Sequence, residues 1–110
     1  MTKIDFYVGS EYRSDKKELT LREFGDALVK ARNTLSTEFE GFTETYGTGH
    51  YKGTEEECII YTICLTGVNP GEVDGKVSEV AGKLAAAFQQ ECVLYTIQSV
   101  VGGFAKPRVN

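Results

Sequence analysis

The run from Glu56 to Thr66 constrains this chain more than any other segment. Ile59, Tyr61, Ile63 and Leu65 alternate with Cys58, Ile60, Thr62 and Cys64, so a two-residue period puts largely apolar groups on both faces. Its β-branched and aromatic content favours a strand. A strand that is apolar on both sides belongs inside a sheet, and other segments must flank it. Three are available. Ile4, Phe6 and Val8 alternate with Lys3, Asp5 and Tyr7. Phe42 to Tyr51 is rich in threonine and aromatic residues, and its Gly47 and Gly49 suggest a bulge or a close approach. Cys92 to Val101 is β-rich and ends at Gly102-Gly103. Lys52-Gly53-Thr54 reads as the turn into the central strand.

Two helices separate these strands. Thr20-Leu21-Arg22-Glu23 is a capping box, in which the threonine hydroxyl and the glutamate carboxylate satisfy each other's backbone amides. Leu21, Phe24, Leu28, Ala31 and Leu35 then recur at helical spacing, while Arg22, Asp26, Lys30 and Arg32 face water, and the helix should stop before Gly41. Asn69-Pro70-Gly71-Glu72 opens the second helix with an N-cap and a proline at the first helical position, where no amide is needed. Its expected buried stripe is Val73, Val77, Val80, Ala81, Leu84 and Phe88.

The order strand, helix, strand, strand, helix, strand predicts an α+β, ferredoxin-like split βαβ fold (βαββαβ): a four-stranded antiparallel sheet with two helices on one face. Short connections and right-handed crossovers are compatible with it. We expect one domain over residues 1–104 and a tail over 105–110, since 110 residues suffice for one core but not two.

Charge and cysteine usage narrow the function classes. Twelve basic and sixteen acidic side chains leave a net charge of −4, which argues against a nucleic-acid polymer or an anionic membrane as partner. The three cysteines cannot all pair within a monomer. Cys58 and Cys64 would stand about 20 Å apart on one strand, beyond disulfide reach. Buried free thiols in a cytoplasmic protein are the expectation, without metal or cofactor, because no CxxC or Cys/His pattern with metal spacing is present. The polar N-terminus, Met1-Thr2-Lys3-Ile4-Asp5, does not resemble a signal peptide.

One sheet face is left without a helix layer, and it carries apolar groups. A second copy of the chain should cover it, as a homodimer or higher homo-oligomer, and a small-molecule or nucleotide ligand could share that seam. The candidate ligand residues are Tyr7, Tyr46 and Tyr51 for stacking on a base, His50 for a hydrogen bond, and Arg13, Lys52 and Arg108 for an anion. His50 is the sole imidazole, so no Ser/His/Asp or Cys/His set can be assembled, and no catalytic residue is assigned. The glycines Gly47, Gly49 and Gly53 do not open a helix and make no phosphate loop. The leading expectation is a non-enzymatic binding module that self-associates and binds a small ligand or a protein partner, with a phage anti-defence protein that sequesters a nucleotide signal as its specific form. A small dimeric isomerase, lyase or cofactor-free oxygenase using His50 and a tyrosine is the first alternative. An acidic inhibitor of a basic host protein, acting through Glu38, Glu40 and Glu44 or through Glu55, Glu56 and Glu57, is the second.

Phe88-Gln89-Gln90-Glu91-Cys92-Val93-Leu94, together with Gly49-His50-Tyr51-Lys52-Gly53, resembles an uncharacterised family of small bacterial ferredoxin-like α+β proteins. The resemblance implies the same fold and supplies no catalytic residue.

Overall fold

A computed structural model describes residues 1–9 and 19–108, with the backbone alone described at Tyr51. The elements are β1 (Thr2–Gly9), α1 (Leu21–Glu38), β2 (Thr43–Tyr51), β3 (Thr54–Leu65), α2 (Pro70–Ala87) and β4 (Leu94–Ser99). The strands form one antiparallel sheet in the order β2-β3-β1-β4, and both helices pack on one of its faces. This is the expected α+β arrangement. β3 lies inside the sheet, as its two apolar faces require.

The core lies between sheet and helices. Ile4, Phe6 and Val8 of β1 and Ile59, Tyr61 and Ile63 of β3 meet Ala27, Ala31 and Leu35 of α1 and Val77, Val80 and Leu84 of α2. The α2 stripe falls where its spacing predicts, with Phe88 fully buried at the helix end. The α1 stripe is displaced: Leu21 is 92% exposed, and Ala27 takes a buried place. Leu21 is the first residue of the helix, one turn ahead of Phe24, where α1 begins to pack on the core.

The helix starts differ as well. At α1 the capping box forms, with the Glu23 amide donating to Thr20 Oγ1 and the Thr20 amide to Glu23 Oε1, both at 3.1 Å. At α2 the Asn69 side chain makes no bond to the helix backbone; its Nδ2 donates instead to the Glu72 carboxylate at 2.9 Å.

β2 and β3 are joined by the two-residue turn Lys52-Gly53, whose φ values of 49° and 78° are both positive, as a type I′ turn requires. Pairing then runs unbroken from Tyr51↔Thr54 to Thr43↔Thr62. No bulge occurs at Gly47 or Gly49, contrary to the expectation drawn from them. The close approach is at Gly9, where a Cβ would fall 1.7 Å from a carboxylate oxygen of Glu56, so the bare backbone lets that side chain lie across the end of β1. Because β1 pairs with β3 only from Cys58 onward, the far end of the β2–β3 hairpin projects beyond it. Residues 101–108 continue past β4 without helix or strand.

Candidate functional site

Strand register fixes what the uncovered sheet face displays, because side chains of one face line up across paired strands. One row is Thr43, Thr62, Asp5 and Thr96, running from β2 to β4. The next is Thr45, Ile60, Tyr7 and Leu94, an apolar and aromatic strip. Beyond it Gly47, Cys58 and Gly9 form a row almost without side chains. On the other side of the polar row stand Cys64, Lys3 and Gln98. The face is therefore a polar band beside an aromatic band, each about 7 Å from the next.

Asp5 is the unusual member. It is only 5% exposed although neither α1 nor α2 covers its face. The Thr62 hydroxyl donates to Asp5 Oδ1 at 2.6 Å, and the Lys3 ammonium stands 3.7 Å from Oδ2. A buried carboxylate is costly unless paired, so this position is an expensive place for charge. Sequence alternation reads Asp5 as a solvated outward residue; only the cross-strand register, 57 residues away in sequence at Thr62, reveals its burial.

The opposite side of the β2 edge carries a second polar cluster. Arg32 of α1 reaches Glu44 with two bonds, Nε to Oε1 at 3.1 Å and a terminal nitrogen to Oε2 at 2.8 Å. The Tyr61 hydroxyl donates to the same Glu44 Oε1 at 2.9 Å. The bond from the guanidinium holds the Glu44 carboxyl below its ordinary range. Burial, followed by the bond to Glu44, pushes the Tyr61 phenol far above its ordinary range. This cluster ties α1 to the sheet edge and uses up Glu44. Glu38 is engaged too, by Lys76 and Lys83. The first expected acidic patch is thus largely neutralised by partners that α1 and α2 supply, which corrects its reading as a free surface for a basic protein.

Among the described side chains, which do not include that of Tyr51, the candidate ligand residues do not converge within one chain. Tyr7 lies on the uncovered face, whereas Tyr46 and His50 point to the helix side of β2, so Tyr7 and Tyr46 cannot sandwich one base. Tyr46 is 62% exposed. His50 is exposed near the hairpin turn, with Glu55 3.9 Å away across the strands. Lys52 occupies the turn, and Arg108 is exposed in the last segment. Arg13 lies outside the described residues, and so does the Ser10-Glu11-Tyr12-Arg13 loop. Two surface hollows, one of about 500 Å³ beside Phe39, Lys76 and Phe104 and one of about 440 Å³ between the helices at Lys30 and Lys83, touch none of these residues. The thiols are free, as expected, but they are not buried: Cys58 is half-buried and Cys64 and Cys92 are exposed. Cys58 and Cys64 stand on the face that no helix covers.

No protein-family model matches the sequence, and no curated protein matches it closely enough to count as a relative. Solved structures do match. A phage SAM lyase in its apo state superposes with a TM-score of 0.63 at 22% identity, over 88% of this chain and 78% of that one. A phage SAM lyase in complex with S-methyl-5′-thioadenosine superposes with a TM-score of 0.60 at 21% identity, over 88% of this chain and 79% of that one. At this level of identity the likeness establishes the shared fold. No helix of the described residues is long and apolar enough to cross a membrane.

Proposed function

We propose that this chain binds S-adenosylmethionine on its uncovered sheet face and cleaves it as a lyase, in a self-associated form and in the setting of phage infection. The observation that carries the reading is the match, over 88% of the chain, to a phage SAM lyase holding S-methyl-5′-thioadenosine. The uncovered face supports it with a largely apolar strip whose one aromatic ring, Tyr7, can stack on an adenine, next to a polar band.

The two nucleosides differ by the amino-acid chain attached to sulfur. Conversion of one to the other therefore breaks the bond between sulfur and the γ-carbon, and its electron pair passes to sulfur, which becomes a neutral thioether. The carbon regains a bond either from the substrate's own carboxylate, closing a ring, or from the electron pair of a neighbouring C–H bond as that proton leaves. The first route asks the protein mainly for positioning and a dry surface. His50, exposed near the hairpin turn, has no part in this reading.

Sequestration without turnover is the second reading, favoured by the same face, whose Tyr7 strip and polar band can hold the ligand whether or not it reacts. Incubation of the purified protein with S-adenosylmethionine, followed by chromatography, separates the two. Accumulation of S-methyl-5′-thioadenosine supports the lyase; stoichiometric retention of intact S-adenosylmethionine supports sequestration; neither turnover nor binding refutes both.

A further inference from the structure

Asp5 has no structural need to be an aspartate. Its β3 and β4 neighbours in the row, Thr62 and Thr96, are neutral, and a fourth threonine beside these and Thr43 would complete a band of hydroxyls at lower desolvation cost. Its ion pair is a weak one. Lys3 lies two positions away on the same strand, with its nitrogen 3.7 Å from Oδ2, beyond hydrogen-bond distance, and its side chain is 38% exposed. Oδ1 is held by Thr62, which fixes the carboxylate's orientation while leaving Oδ2 with a long, displaceable partner.

Resting on the function proposed above, we infer that Asp5 is the cation anchor of the site. Its Oδ2 receives the positive end of an S-adenosyl compound, the sulfonium or the α-ammonium, and Lys3 is the internal cation that the ligand displaces. The geometry of the face agrees. Tyr7 and Asp5 are same-face neighbours on β1, about 7 Å apart, so a purine lying on the Tyr7 strip places its 5′ substituent over the polar band. Low exposure makes the interaction stronger than at an open surface, because little water screens it.

The arrangement also selects substrate over product. Loss of the amino-acid chain removes both positive centres, so the neutral thioether nucleoside keeps its stacking contact and loses the anchor. Lys3 then returns to Asp5 and the product leaves. Asp5 is a specificity and positioning residue in this scheme and takes no proton.

The test compares three non-reacting ligands by calorimetry. Sinefungin has an ammonium in place of the sulfonium and retains the amino acid, S-adenosylhomocysteine retains only the amino acid, and S-methyl-5′-thioadenosine has neither. Asp5→Asn, which keeps shape and the Thr62 bond, should weaken sinefungin about tenfold or more, weaken S-adenosylhomocysteine if the α-ammonium is the anchored group, and leave S-methyl-5′-thioadenosine unchanged. Lys3→Met removes the competing cation and should tighten sinefungin severalfold. This opposite sign is expected from no structural role of the pair, and it decides the matter if Asp5→Asn does not fold. Equal weakening of all three ligands by Asp5→Asn overturns the inference. So does unchanged or weaker sinefungin binding by Lys3→Met. Wild-type protein that binds all three ligands, with sinefungin bound no more weakly after Asp5→Asn, refutes the anchor and spares the proposed function, whereas wild-type protein that binds none of the three refutes both.

Discussion

Single residues divide here into those whose role follows from local pattern and those whose role follows from register. Phe88 and Leu84 are buried where helical spacing puts them. Asp5 and Glu44 are not legible in this way, because their partners lie on other strands or helices: Thr62 for the first, Arg32 and Tyr61 for the second. The Glu44 cluster yields a test with a definite sign. Its carboxyl titrates below its ordinary range in the folded chain, through the Arg32 bond, so its contribution is complete above the usual glutamate range near roughly pH 4.3 and is lost as pH falls through the folded value. Urea denaturation at neutral pH and across the acid range should show Glu44→Gln less stable than wild type at neutral pH, with the gap closing on acidification. Tyr61→Phe keeps the ring contact with Phe42 and removes only the hydroxyl, so it should cost about 1–2 kcal/mol at neutral pH. A gap between Glu44→Gln and wild type that is constant from neutral to strongly acidic pH would show that the carboxylate's charge is irrelevant.

Among the elements, helix starts separate what a motif announces from what it does. Thr20-x-x-Glu23 and Asn69-Pro70-x-Glu72 both read as starts, and both helices begin there. Only Thr20 satisfies a helix amide with its side chain. Thr20→Ala should therefore cost about 1 kcal/mol, and Asn69→Ala should cost clearly less, because proline already needs no amide at the first position of α2. Chemical denaturation midpoints of the two variants check this, and equal losses would contradict the side-chain geometry. The strands show the same division. The interior place of β3 follows from its two apolar faces, and the turn follows from Lys52-Gly53. Gly47 and Gly49 mislead, because glycine in a strand signals an absent side chain without saying whether the ladder is broken there. In this sheet they leave part of the uncovered face bare. Leu21 misleads for a related reason: periodicity identifies a stripe but not where the opposing layer ends.

The whole molecule is less compact than its mass requires. Its accessible surface is 7525 Å², against about 6,000 Å² for a typical folded monomer of this mass. Its radius of gyration is 15.5 Å, where about 13 Å is usual for this length, and its extents are 55 × 33 × 30 Å. The hairpin extends past the end of β1, and the segment after β4 exposes Val101 and Phe104 to water. Leu94, at the end of the strip with Ile60 and Tyr7, adds a third exposed apolar side chain. In the self-associated form proposed above, a second copy covers these groups. Sedimentation velocity over micromolar to sub-millimolar concentrations should reveal a species heavier than the 12.1 kDa chain. Leu94→Lys should shift the population toward monomer with little loss of fold, since Leu94 is 64% exposed on an edge strand and contributes little to the core. A wild-type protein that stays monomeric throughout that range would leave the uncovered face to the ligand alone. An assembly untouched by Leu94→Lys would place the interface elsewhere, on the hairpin or the final segment.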